Sequence, residues 1–145
     1  MRALGGLLVL CIAAVPAFAD EALVENMGQL QTFAHKAALA IDHHNTPLVE
    51  FYAHELEEYL EETASIKVYD GYPVGKLVQS MLMPAFDKFE ASVQEGKWQT
   101  ISDNFDDLID SCNACHRATE HDFINIIRSA ENPFMQSFAP PAKKP

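Results

Sequence analysis

Residues 98–119 read WQTISDNFDDLIDSCNACHRAT, and this stretch decides how the chain folds. Its apolar and sulfur-containing residues recur at steps of three and four, which is the period of an α-helix with one buried face. The stripe consists of Ile101, Phe105, Leu108, Cys112, Cys115, His116 and Thr119. Four aspartates lie off the stripe, so we expect them to face water. The pattern predicts a long helix, about Trp98 to Thr119, whose buried face ends in two cysteines and a histidine.

The end of this face, residues 112–116, has the spacing Cys-x-x-Cys-His, which is the signature of covalent attachment of c-type haem. Each thiol adds across one vinyl group, and two intervening residues on a helical turn let both sulfurs reach one edge of the porphyrin. His116 follows Cys112 by one turn, so its imidazole falls on the same face. We therefore predict one covalent haem c, attached through Cys112 and Cys115, with His116 as the proximal iron ligand.

Two other kinds of site also use a Cys-x-x-Cys pair, namely a zinc site and a redox dithiol. A zinc site needs four ligands, usually from a second pair at matching spacing, and the sequence has no second Cys-x-x-Cys. A thioredoxin-like dithiol needs a βαβ context, and no strand pattern is visible around the motif. The sequence therefore favours haem over either alternative.

Three more helices are predicted before this one. Residues 21–42 carry an apolar stripe that includes Leu23 and Met27. Residues 47–63 follow Thr46 as the expected N-cap, and residues 74–95 contain Pro84, which should kink or divide the helix near Met83. Residues 121–141 are apolar but rich in proline. The expected fold is an all-α four-helix bundle with an extended C-terminal tail packed over it.

The N-terminus has the features of a secretory signal. Arg2 precedes an apolar segment at residues 4–15, and Ala17-Phe18-Ala19 matches a cleavage site, so we expect cleavage before Asp20. Cys11 would leave with the signal. The expected organisation is a signal peptide over residues 1–19, a cytochrome domain over residues 20–141 and a disordered end over residues 142–145. This predicts a periplasmic protein without a stable membrane anchor after cleavage.

The 145-residue chain has a formal net charge of −11, and the second helix is its most acidic element. Such a charge is unsuited to binding nucleic acid or anionic membranes. It suits docking to redox partner proteins with a basic surface, and the acidic face of the second helix is one candidate for that surface. Solubility is the simpler explanation for most of the charge.

The motif and its continuation carry a resemblance to a known class. Residues 112–124 read CNACHRATEHDFI, similar to small secreted monohaem c-type cytochromes of the cytochrome c′-like four-helix-bundle class. Their motif continues as Cys-Asn-x-Cys-His-x-Ala-Thr-x-His-x-Phe, with a tail ending near Phe-x-Pro, which Phe138-Ala139-Pro140 matches. The usual Asn-Trp is replaced here by Asn45-Thr46. The resemblance implies a bundle with one haem, and a homodimer through the first two helices stays open.

The resemblance also implies where the second axial position lies. In cytochromes c′ the first helix faces the distal side of the haem, with Met in low-spin relatives and an apolar residue in five-coordinate ones. Met27 is the predicted distal ligand, with Gly28 leaving room for the ring; a core methionine is the plainer explanation. Met81, Met83, His54 and His121 rank below Met27 as distal ligands.

The expected function is one-electron transfer, with the haem potential set by axial ligand, burial and nearby charge. The alternative is a five-coordinate haem protein that binds small gases such as NO or CO. Catalysis is not expected, because a peroxidase needs polar groups on the distal side and the first helix offers few near Met27. Gln31, one turn further on, is the most obvious candidate. A weak peroxidase activity stays open.

Overall fold

The computed structural model describes residues 17–142, with side chains from residue 21 onward, and it contains four long helices. They are α1 (Ala17–Asp42), α2 (Thr46–Ser65), α3 (three consecutive segments, Val74–Leu77, Val78–Leu82 and Met83–Glu95) and α4 (Trp98–Ala118). Within residues 17–142 there is no β-strand, only an isolated bridge between Tyr69 and Tyr72. The predicted all-α four-helix bundle is therefore confirmed.

Most of the predicted signal peptide, residues 1–16, lies outside the described residues, as do residues 143–145 of the predicted disordered end. The cleavage site and the periplasmic location remain predictions. In the part of the chain that the structure describes, none of the helices has the length and hydropathy needed to cross a bilayer.

The turn between α1 and α2 is capped differently from the sequence-based expectation. Asn45, not Thr46, is the N-cap of α2, and its side-chain oxygen accepts a hydrogen bond from the backbone N–H of Leu48 at 3.4 Å. Thr46 is the first helical residue, followed by Pro47 in the first turn, where its missing N–H costs nothing. Both residues suit a cap by type, and only the backbone path distinguishes them.

Pro84 divides α3 near Met83, as predicted, through a change of helix type, and the helix continues beyond it. The five residues Val78–Leu82 form a π-helical turn immediately before Met83 and Pro84. A proline removes one backbone hydrogen bond and crowds the carbonyl four residues earlier, and a wider turn relieves that crowding. α3 then continues to Glu95, and Gly96 caps it in the left-handed conformation with φ 73°.

Short connections make consecutive helices antiparallel neighbours, with α1 against α2 and α3 against α4. Their buried faces meet in one core that includes Phe86, Phe89 and Phe105. The helical spacing of residues 48–60 predicts that Phe51 lies on the apolar face of α2. This prediction is wrong, because 52% of the Phe51 surface is exposed, whereas Val49 and Ala53 are buried on that helix.

Residues 120–142 contain no helix and cross the outside of the bundle. Phe138 is buried in the core, and the Asn45 side chain donates hydrogen bonds to the carbonyls of Phe138 and Ala139, both at 3.0 Å. Arg128 bonds to Asp42 at the end of α1 and to Asp106 on α4. The tail is therefore held against the α1–α2 turn and against α4, and its first part lies beside the cysteine–histidine motif.

Candidate functional site

Two adjoining cavities lie around the last turns of α4, with volumes of about 230 Å³ and 220 Å³. Their shared wall is formed by Met27, Cys115, His116 and Ile124. Together their volume falls in the range of roughly 300–1,000 Å³ that is usual for sites that bind cofactors. The motif thus lies on the wall of a cofactor-sized apolar space between α1, α4 and the tail.

The two cavities have different surroundings. The first reaches into the bundle, against Leu56 and Leu60 of α2 and Leu82 of α3, and Cys112 lines it. The second lies toward the end of the bundle, against Val24 of α1 and against Tyr69 in the loop between α2 and α3. An amphipathic planar group that filled both would have its apolar part in the core and one edge toward the loop.

His116 is held in one orientation by the tail. Its Nδ1 atom lies 2.9 Å from the carbonyl oxygen of Ile124, so this nitrogen carries the proton and donates it. The other ring nitrogen, Nε2, is then the unprotonated one and is free to bind a metal. A backbone carbonyl on the far nitrogen is the usual partner of a metal-bound histidine, and it makes the ligand more basic.

Burial lowers the pKa of His116, so the imidazole is neutral at pH 7, as an iron ligand must be. The carbonyl of Ile124 acts in the opposite direction, and nearby His121 lowers the pKa further. Desolvation is the largest of the three effects. Burial alone therefore keeps the His116 imidazole neutral at pH 7, which is the protonation state of a metal-binding histidine.

The two cysteines are reduced, and neither is activated as a redox thiol. Burial, and then the neighbouring Cys115 thiol, raises the pKa of Cys112 to about 12, and burial also raises the pKa of Cys115. A redox dithiol needs the opposite, a lowered pKa, which helix N-termini and nearby cations supply. Here the pair lies near the C-terminal end of α4, where the helix dipole disfavours a thiolate.

Met27, the predicted distal ligand, lies on α1 and shares two cavities with His116 of α4. Its side chain is half-buried. Gly28 lines the first cavity, and a Cβ atom built there meets nothing within 4 Å. A side chain at Gly28 would therefore meet no neighbouring atom, and the space beside it is open.

The other candidate ligands lie elsewhere or face differently. Neither Met81 nor Met83 lines these cavities, and His54 is exposed on α2 beside Glu58, with its Nε2 3.5 Å from a carboxylate oxygen. His121 lines only the second cavity, with its Nδ1 2.6 Å from the Thr119 carbonyl. Gln31 lines the first cavity as expected for the distal side.

The sequence predicts that three further histidines, His35, His43 and His44, are exposed. His43 and His44 are exposed, and His44 stacks on Trp98 with ring centres 4.6 Å apart. His35 is different, because it is half-buried and its Nε2 lies 2.8 Å from the Glu131 carbonyl of the tail. The expectation that His35 is exposed is therefore wrong, since the tail covers this part of α1.

Sequence reasoning missed Asn113, the first of the two residues between the cysteines. Its buried side chain donates to the Ile126 carbonyl at 2.9 Å and accepts from the Ile126 N–H at 2.7 Å. This pair of bonds fixes the tail two residues after Ile124, whose carbonyl orients His116. The sequence feature that could have identified Asn113 is its position: it is a polar residue one helical turn after Ile109, on the buried face of α4.

The residues present fit a covalent haem. Two neighbouring thiols and an unprotonated imidazole nitrogen line one cavity wall, a thioether sulfur lines the same cavities from the opposite helix, and the remaining wall is largely apolar. In contrast, no group of three or more His, Cys, Asp or Glu side chains within the described residues is arranged to hold a bare metal ion.

Comparisons with protein-family models, curated proteins and solved structures found no match to this chain.

Proposed function

We propose that the protein is a monohaem c-type cytochrome that acts in one-electron transfer, a small secreted cytochrome of the c′-like four-helix-bundle class. The observation that carries the proposal is the shared cavity wall of Cys115, His116 and Met27, with Cys112 beside it. A chance Cys-x-x-Cys-His would have no reason to line a cofactor-sized apolar space opposite a methionine. The periplasm is the compartment that the proposed signal peptide implies.

The chain's own residues account for binding and orientation. Cys112 and Cys115 would form the two thioether links, and His116 would supply the proximal nitrogen, since its other nitrogen already donates to Ile124. Bound haem supplies reversible one-electron chemistry at its iron. The apolar walls exclude water and so favour the less charged reduced state, while Met27 as distal ligand would raise the potential relative to an open site.

The first test is the visible spectrum of the secreted protein from a host with haem-attachment machinery, oxidised and reduced, with CO added to the reduced form. We expect sharp low-spin bands, a weak Met-to-iron charge-transfer band and no response to CO. A broad high-spin spectrum that shifts with CO would instead favour the gas-binding alternative. Absence of haem would contradict the whole proposal.

The second measurement separates a ligand from a core residue at Met27. In Met27→Ala we expect the charge-transfer band to disappear and CO to bind, because the sixth position opens. Met81→Ala is the matched control, since Met81 is also a half-buried methionine but lines neither cavity. If both variants keep the wild-type spectrum, Met27 is core filler and the low-spin assignment must change.

A further inference from the structure

The exposed apolar side chains of this protein are not spread evenly. The described part of the chain has large, exposed hydrophobic residues at seven positions: Val24, Phe51, Val68, Phe123, Ile124, Ile127 and Met135. Val24 and Ile124, which are 66% and 41% exposed, line the second cavity. Contiguous apolar surface of this kind marks interaction sites in soluble proteins, whereas single exposed residues need no explanation.

Two more of the seven adjoin the same cavity. Phe123 is 77% exposed, and its ring centre lies 5.6 Å from that of His121, which lines the cavity. Val68 is 55% exposed and precedes Tyr69, another lining residue. We call Val24, Val68, Phe123 and Ile124 the cavity-mouth patch. Two of its members, Val24 and Ile124, line the same cavity as His116, so the patch is exposed apolar surface next to the candidate iron ligand.

Acidic residues flank this patch. Glu21 and Glu25 lie beside Val24 on α1, and Asp122 precedes Phe123; all three are exposed. Desolvation, and then the nearby carboxylates of Glu120 and Asp70, raise the pKa of the Tyr72 hydroxyl, so both acidic residues lie close to Tyr72. Lys67 and Arg117 are the cations next in sequence to residues of the patch and cavity. An apolar centre with a mostly acidic rim has the layout of a protein interface, and it is complementary to a basic partner.

We propose that the cavity-mouth patch is the docking surface for a redox protein that presents an apolar contact surrounded by basic residues. The inference rests on the proposed haem function and places the partner at the end of the bundle, not on the acidic face of α2. One electron would pass between the two metal centres, so that one is oxidised as the other is reduced and no atom is transferred. Interfaces of this kind are small and short-lived, which suits a patch of four side chains.

Charge variants of the holoprotein test the location of the surface. The probe is a basic mitochondrial-type cytochrome c, and the readout is the bimolecular rate of electron exchange by stopped flow at low ionic strength. We expect Glu25→Lys with Asp122→Lys to slow exchange about tenfold, because like charges then meet across the interface. The control pair Glu61→Lys with Glu62→Lys on α2 makes the same change in net charge and should alter the rate less than twofold.

Apolar variants test the centre of the patch in the same assay. Phe123→Ser and Val68→Ser should slow exchange several-fold at high salt as well, where charge attraction is screened. Both residues belong to the patch but line neither cavity. Phe51→Ser and Met135→Ser are matched controls, because both residues are exposed and lie outside the patch. Spectrum and reduction potential should be unchanged in all four, so that a slower rate reports docking alone.

Three results would overturn the proposal. Equal slowing by the two charge pairs would mean that only net charge matters, and greater slowing by the α2 pair would place docking on α2. A stable dimer in sedimentation that Phe123→Ser converts to monomer would make the patch a contact between copies of this chain. These failures are separate from that of the proposed function, which would show as missing haem or an irreversible redox couple.

Discussion

Asn113 joins the cofactor site to the tail through a single side chain. It is buried between the two cysteines and makes both possible backbone bonds to Ile126, at 2.9 Å and 2.7 Å. Two residues earlier, the Ile124 carbonyl accepts from His116. If the proposed haem is bound, a change at Asn113 should therefore affect its iron through the tail and His116.

We expect Asn113→Ala to lower the free energy of unfolding by about 2 kcal/mol, because two buried backbone groups of Ile126 lose their partners. We also expect the reduction potential to rise. A looser bond from His116 to Ile124 makes the imidazole less basic, which stabilises ferric iron less. Protein-film voltammetry measures the potential, and denaturant unfolding measures the stability.

The control for this prediction is Asn104→Ala. Asn104 lies on the same helix, but its side chain donates to the Lys88 carbonyl of α3 at 3.1 Å and not to the tail. It should lose some stability but keep the wild-type potential. Asn113→Asp retains the acceptor for the Ile126 N–H and should fall between the two. An unchanged potential in Asn113→Ala would show that the tail does not tune His116.

The residues of the motif could be predicted from sequence because the spacing itself encodes the chemistry. Cys112, Cys115 and His116 are close together in any helix, so no tertiary information is needed to bring them to one wall. Asn113 and Ile124 could not be assigned in the same way. Their roles depend on the path of a tail without helix, and sequence periodicity carries no information about such a path.

At the level of elements, the close contact between α2 and α3 depends on one glycine. The backbone N–H of Gly75 donates to the Ile66 carbonyl at 2.8 Å, just after α2 ends. A Cβ atom on Gly75 would lie 2.3 Å from the Ala64 carbonyl oxygen and 2.6 Å from that of Ile66. Both atoms are backbone, so they cannot move aside as a flexible side chain could.

We therefore expect Gly75→Ala to destabilise the protein by about 3 kcal/mol, at the upper end for an added methyl group in a packed region. Lys76→Ala is the control, since Lys76 is exposed at the next position and should change stability by less than about 0.5 kcal/mol. Denaturant unfolding followed by circular dichroism makes the comparison. Equal stabilities would mean that the α2–α3 junction opens at little cost.

Helix positions were predictable to within a few residues because period, proline and glycine signals agreed. α3 runs over Val74 to Glu95 as expected, and Gly96 ends it. The sequence did not distinguish Asn45 from Thr46 as the cap, nor identify Phe51 as exposed. In both cases an adjacent residue suits the same position by type, Asn45 beside Thr46 at the cap and Tyr52 beside Phe51 on the buried face. Which residue occupies the position depends on how α2 is rotated against α1.

At the scale of the whole molecule, the net charge of −11 means that acidic residues repel one another where the tail packs on the helices. Arg128 is a cation on the tail that offsets part of this repulsion. Its guanidinium bonds to Asp42 on α1 and, at 2.9 Å, to both Ser102 and Asp106 on α4. It also lies over the Phe105 ring, 5.6 Å from the ring centre. One cation thus joins two helices and the tail.

Removing this cation is the sharpest test of how the tail is held. We expect Arg128→Gln to lower the free energy of unfolding by about 1 kcal/mol, since a half-buried guanidinium loses charged hydrogen bonds to two partly exposed aspartates. Lys97→Gln is the control, because Lys97 pairs with Glu95 at 3.7 Å in an exposed position, where such pairs contribute less than about 1 kcal/mol. Hydrogen exchange should also rise across residues 124–131 in Arg128→Gln and stay unchanged in the control. If the tail exchanges equally in both, Asn45 and Asn113 suffice to hold it, and Arg128 serves only to offset the charge of Asp42 and Asp106.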